Sequence, residues 1–187
     1  MNIRIAWAGI VAALVSVPAA LSAQSSPQPS TGALASTAGG ASPPLAVAVP
    51  LSGSVDIDGR LDEAAWQRAM PITDFRQYEP EEGMPASLPM EVRILFDDGA
   101  LYIGARMSQP GGVRAPLARR DQLLDSNGDN GAFNSLTTDK LVLNLDPYHN
   151  HIDNALFEVN PAGVKGDMFN WDPSWDPVWE AAAQVDS

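Results

Sequence analysis

The sequence predicts an all-β fold, an antiparallel β-sandwich with one short helical turn. Three observations carry this expectation. Downstream of residue 45 apolar residues recur at alternate positions in short runs, the runs are separated by clusters of Gly, Pro, Asn and Asp, and helical periodicity is scarce. No internal repeat is visible. With no cysteine among 187 residues there is neither a disulfide framework nor a thiolate metal site, so an ordinary apolar core has to hold the domain.

The elements follow in order. Residues 1–23 read as a secretory signal. Arg4 gives a positive start, residues 5–17 are an apolar run, and Pro18 leads to the small-residue end Leu21-Ser22-Ala23 before Gln24. That run is shorter than the ~20 residues that span a bilayer, which argues against an anchor. Residues 24–44 are almost wholly Ser, Pro, Ala, Gly, Thr and Gln, a composition that buries too little apolar surface to fold and is expected to form a disordered linker. The foldable domain is thus residues 45–187.

Leu45-Ala46-Val47-Ala48-Val49 begins the period-two pattern as a first strand. A turn at Asp56-Ile57-Asp58-Gly59 leads to a short helical stretch at residues 61–69, with Leu61 and Trp66 toward the core. The clearest supersecondary element is a hairpin in which residues 91–97 and 100–107 flank Asp98-Gly99, a pair that tolerates the positive φ of two-residue turns. In its second strand Leu101, Ile103 and Ala105 share one face, and Tyr102, Gly104 and Arg106 the other. Further strands are predicted at 140–145, 155–159, 164–169 and 178–185. The chain stops directly after the last of these, so the sandwich is expected to be incomplete at its C-terminus, with a sheet edge exposed.

Several ordered segments resemble the family 9 carbohydrate-binding modules. The resemblance is nearest to the version found at the start of bacterial envelope proteins that continue into an outer-membrane β-barrel-like region. The segments are Ile57-Asp58-Gly59-Arg60-Leu61-Asp62-Glu63-Ala64-Ala65-Trp66, the hairpin from Glu91 to Arg106, Arg119-Arg120-Asp121, Leu145-Asp146-Pro147-Tyr148-His149, Val159-Asn160-Pro161-Ala162-Gly163-Val164 and Ser174-Trp175-Asp176-Pro177-Val178-Trp179-Glu180-Ala181. The resemblance implies a jelly-roll sandwich, binding of carbohydrate rather than cleavage, and continuity with a membrane barrel or a glycan-degrading enzyme. Its expected location is the periplasm, the outer membrane or the cell surface.

Sugar recognition needs an aromatic face for the C–H side of a pyranose and a few convergent groups for its hydroxyls. Trp171 and Trp175 lie in a polar, Pro-interrupted loop and are the first candidates for the platform, with packing at the sandwich end as the alternative. Tyr148 can stack or donate, and Arg106 can reach two hydroxyls or pair with a neighbouring carboxylate. Trp66 and Trp179 read as core.

Asp125-Ser126-Asn127-Gly128-Asp129-Asn130-Gly131 alternates oxygen side chains as calcium loops do. Asn130 stands where the invariant glycine belongs and Leu136 where the closing glutamate belongs, so a helix-loop-helix calcium site is excluded. A solvated loop is expected there; related modules can carry structural calcium, and no other cofactor is implied. His149 and His151 beside Asp146 and Asp153 suggest zinc only if a third ligand joins them, and an exposed turn is the reading preferred.

Excluding the leader, 10 basic residues stand against 23 acidic ones, a balance that repels phosphate backbones and excludes nucleic acid as a partner. No carboxylate pair is marked by an apolar setting, and there is no Gly-x-Ser-x-Gly elbow, phosphate-cradling glycine loop or cysteine nucleophile. The sequence therefore reads as a non-catalytic, exported glycan-binding module. The alternatives are an interaction domain of a barrel protein without sugar affinity, or an accessory module of a glycoside hydrolase.

Overall fold

The structure, a computed structural model, describes residues 2–8 as backbone, and residues 45–121 and 138–186 in full. The 24–44 linker, most of the leader and the 125–131 loop lie outside the described residues. The elements are β1 (Asn2–Ala8), β2 (Val49–Pro50), α1 (Ala64–Arg68), β3 (Met90–Phe96), β4 (Ala100–Met107), β5 (Leu141–Leu145), β6 (Ala155–Val159), β7 (Lys165–Phe169) and β8 (Glu180–Gln184). The described chain is all-β apart from the single turn-and-a-half of α1.

Two sheets form. One has the order β2-β3-β4-β1-β8 and the other β5-β6-β7. The β3–β4 hairpin is antiparallel, with Ile94 opposite Ile103, and β6 is antiparallel to both β5 and β7. β2 runs parallel to β3, and β1 runs parallel to both of its neighbours, β4 and β8.

The alternation read from the sequence assigns the faces correctly. Val92, Ile103, Ala105 and Met107 of the first sheet join Leu141, Ala155, Phe157 and Val159 of the second, with Trp179, in one apolar cluster. On the opposite face of the first sheet, Leu95, Ala100 and Tyr102 pack with Val55, Leu61, Ala65, Trp66 and Ala69. Trp66 is fully buried, and Gly104 leaves room for it: a Cβ there would fall 2.6 Å from Leu61 and 3.0 Å from Trp66. α1 is shorter than the predicted 61–69 stretch because nothing caps it by side chain at Glu63, while its last carbonyls, Trp66 O and Ala69 O, each accept a hydrogen bond from the Arg93 guanidinium of β3 at 2.8 Å.

Two local expectations fail. Of the predicted 45–49 strand only Val49 pairs, against Leu95, with Pro50 beyond it against Phe96, and Leu45 and Val47 point to solvent. A period-two pattern without a partner edge is not a strand. The hairpin turn does not use positive φ at Asp98 or Gly99. Instead the Asp97 carboxylate accepts from Gly99 N and Ala100 N, both at 2.8 Å, and from the Tyr102 hydroxyl at 2.7 Å, so a side chain closes the loop.

Candidate functional site

One end of the three-stranded sheet carries two loops, residues 146–154 between β5 and β6 and residues 170–179 between β7 and β8. Their backbones are unusual. Of the five non-glycine residues at positive φ among the described residues, four lie here: His149, His151, Asn170 and Trp171. Such conformations cost about 1–3 kcal/mol each and persist only where surrounding structure holds them.

The turn at Trp171 shows how it is held. Phe169 and Asp172 exchange backbone hydrogen bonds at 3.2 and 2.9 Å, which closes a two-residue hairpin with Asn170 (φ 51°) and Trp171 (φ 68°) at its tip. That geometry favours Asn followed by Gly. Here the glycine position holds an indole that is 63% exposed. Asn170 fastens the turn to the neighbouring loop: its N donates to Asn154 O at 2.9 Å, its Oδ1 accepts from Asn154 N at 2.8 Å, and its Nδ2 donates to Asp153 Oδ1 at 2.7 Å.

The 146–154 loop is organised by one carboxylate. Asp146 accepts from the backbone N of His151 at 2.7 Å, Asn150 at 3.1 Å and Tyr148 at 3.3 Å, while Asn150 Oδ1 accepts from Ile152 N and Asp153 N. The Tyr148 ring is left 69% exposed. The bond from His151 N, with the two weaker ones, holds the Asp146 carboxyl below the usual carboxylate range. Asp153 is lowered by the Asn170 amide and Asp172 by the Ser174 hydroxyl. The loop cluster is therefore anionic and rich in acceptors at neutral pH.

The four residues proposed for sugar contact separate in the structure. Trp171 and Tyr148 are displayed on bridged loops. Trp175 is half-buried, its ring set edge-on to Phe157 at 5.5 Å and tilted against Phe169 at 5.6 Å, so it packs on the shared apolar core. Arg106 is elsewhere, on the α1 side of the first sheet, exposed between two concavities. One, of ≈ 300 Å³, is lined by Gly59, Asp62 and Gln184; the other, of ≈ 560 Å³, by Phe75, Pro85 and Glu91. Among the described residues no carboxylate lies at ion-pair distance from it, in contrast to the pairing expected.

Trp66 and Trp179 are core, as expected, with Val178 beside Trp179 exposed. The histidine rings stand 5.0 Å apart, and His151 Nδ1 lies 3.7 Å from Asp146 Oδ2. No group of three metal-ligating side chains occurs among the described residues.

Arg120, which the sequence marks only within Arg119-Arg120-Asp121, anchors the far end of the tryptophan loop. It donates to Asp167 Oδ2 at 2.6 Å and Pro177 O at 3.1 Å, and pairs with Asp176 at 2.7 Å. Asp167 is fully buried and also accepts from Trp179 Nε1 at 2.9 Å. Burial works against the charged guanidinium, but the hydrogen bond and charge of Asp167 outweigh it and raise its pKa. No local spacing in the sequence signals this strut, because Asp167 and Pro177 lie 47 and 57 residues from Arg120.

Compared with protein-family profiles, curated proteins and solved structures, the chain finds no match in any of the three.

Proposed function

We propose that the chain is a non-catalytic carbohydrate-binding module of the family 9-like type, built on a jelly-roll β-sandwich and exported by the leader at residues 1–23. One observation carries the sugar-binding reading: Trp171, with an exposed indole, occupies the tip position of a tight turn where glycine is free of strain. Strain held at an exposed aromatic by three hydrogen bonds of Asn170, two donated and one accepted, favours display over packing. Tyr148 supplies a second ring on the bridged loop, and the ionised Asp146, Asp153 and Asp172 set an acceptor-rich surround suited to hydroxyls.

The same carboxylates support binding over cleavage. A glycosidase needs one carboxylic acid with a raised pKa beside the scissile bond, and these three are shifted the opposite way. Of the two carboxylates that burial shifts upward among the described residues, Glu158 is fully enclosed and paired to Lys140 at 2.9 Å, and Asp121 is tied to Arg120 at 3.6 Å and accepts from Asp167 N at 3.1 Å. Sugar contact at Arg106 belongs to a separate surface, so Trp171 and Tyr148 form the platform and Trp175 packs on the core.

A glycan array followed by calorimetry on the strongest ligand tests this reading. Trp171→Ala and Trp171→Gly are each expected to weaken binding roughly tenfold or more, the loss of one stacked ring. Met70→Ala, at an exposed apolar site away from the loops, is expected to bind normally. Undiminished affinity in both Trp171 variants would remove the platform. A chain that answers no glycan at all would leave the interaction-domain reading in its place.

A further inference from the structure

Among the residues described in full, every arginine but one is engaged by a partner. Arg60 donates to Gln184 and Arg68 to Ser52 O, Arg76 pairs with Asp74, Arg93 with Glu91 and Arg120 with Asp167 and Asp176, and Arg114 and Arg119 are engaged as well. Arg106, exposed on β4, has neither a hydrogen bond nor an ion pair among the described residues. Its nearest candidate partner is taken. Glu91 lies directly opposite Arg106 in the β3–β4 ladder, where facing Cβ atoms stand about 5 Å apart. Glu91 accepts instead from Arg93 Nε at 2.5 Å, and Arg93 is itself fixed by Trp66 O and Ala69 O at 2.8 Å each. In a chain with 23 acidic residues against 10 basic ones outside the leader, a guanidinium left open is the exception.

Arg106 opens on the ≈ 560 Å³ concavity where β3 begins and β4 ends. That volume lies within the range of small-molecule sites. Its frame is held by backbone bonds within residues 72–108. Ile72 and Val92 exchange hydrogen bonds at 2.8 and 3.0 Å, Ala86 N donates to Phe75 O at 2.9 Å, and Ser108 N donates to Pro89 O at 3.0 Å. Phe75, Pro85 and Met90 give the lining apolar surface, and Thr73, Ser87 and Ser108 give it hydroxyls. Its two carboxylates are occupied, Asp74 by Arg76 at 2.7 Å and Glu91 by Arg93. The cavity therefore offers a guanidinium and hydroxyls beside an apolar wall, the reverse of the acceptor-rich loops around Trp171.

We propose that this cavity is a second binding site, which takes one carboxylate-bearing sugar, a hexuronic acid unit, with its carboxylate on the Arg106 guanidinium. The inference rests on the carbohydrate reading above and adds a charge class to it. A guanidinium fork matches both oxygens of a carboxylate. The C–H face of a pyranose suits the Phe75 and Pro85 surface, and its hydroxyls suit those of Ser87 and Ser108. The negative balance of the chain sets a limit, because it repels a run of anions. The ligand is accordingly an isolated uronic acid at an end or branch of an otherwise neutral glycan.

The test titrates the full chain with sodium glucuronate, and with glucose as its neutral counterpart, and follows backbone amide resonances. Shifts at residues 106–108 report this cavity and shifts at 148–151 report the Trp171 platform, so the two sites are read separately. At residues 106–108 glucuronate is expected to bind roughly tenfold or more tightly than glucose, an advantage that added salt erodes. Arg106→Gln is expected to abolish the preference, and Arg106→Lys, which keeps the charge without the fork, to restore only part of it. Because Arg106 has no partner to lose, both variants are expected to melt with the parent chain. Trp171→Ala is expected to leave glucuronate binding at residues 106–108 intact, whatever it does to the platform. Glucuronate affinity there no greater than that of glucose, or undiminished in Arg106→Gln, would overturn the proposal.

Discussion

Trp171 and Glu158 show at the scale of single residues how position decides what a side chain contributes. An indole at φ 68° carries backbone strain that glycine would not, so Trp171→Gly is expected to leave thermal stability unchanged or raise it by up to ~1 kcal/mol. If the ring served packing, the same change would instead cost ~3 kcal/mol or more, and a melting curve separates the two outcomes. Glu158 is fully buried on β6 and held by Lys140, itself nearly buried, with Gly166 opposite leaving room for the carboxylate. Lys140→Met strands a charge and is expected to destabilise by about 3–5 kcal/mol, whereas adding Glu158→Gln to it recovers part of that loss; urea unfolding of the pair of variants measures both. The sequence shows these residues plainly but not their surroundings, since Lys140 and Glu158 meet only through pairing of β5 with β6.

Elements in this protein are short, and their ends are set by contacts from other elements. β3 and β4 were legible because both strands and the turn lie in one stretch of sequence, and so was the β6–β7 hairpin, whose Asn160 side chain accepts from Ala162 N and Val164 N. The turn mechanism was not legible, because Asp97 closes the loop through a carboxylate and any of three adjacent residues could have done so. The 45–49 pattern misled for the complementary reason, as alternation has meaning only when an edge is present to receive it. Gly59 illustrates long-range dependence: its φ is 88° and the β8 backbone abuts it. Gly59→Ala is therefore expected to cost about 1–3 kcal/mol and to loosen β8, seen as a lower melting temperature with faster amide exchange at residues 180–184.

Across the whole molecule the acidic balance is distributed unevenly in its effect on stability. Asp146, Asp153 and Asp172 have pKa values below the ordinary carboxylate range because hydrogen bonds favour their charged forms. Their contribution is complete above about pH 4 and is lost as pH falls through the lowered values. Glu158 has the opposite sign, its burial penalty growing as pH rises through its raised pKa. Acidification is thus expected to release the two loops before the strands: amide resonances of Tyr148, Asn150 and His151 should shift together at a lower pH than an ordinary aspartate would set, and glycan affinity should fall with them, while far-ultraviolet circular dichroism stays constant.

The strand pattern, the positions of Trp66 and Trp179 in the core, the two faces of β4 and the net negative charge were determined by the sequence alone, because alternation and composition are local properties. Tertiary structure alone decided that Trp171 is displayed while Trp175 is packed, that Arg106 stands on a different sheet from both, and that residues 2–8 lie between β4 and β8. Each of these depends on which strand edges and loops meet across long separations in the chain, and no local spacing encodes that.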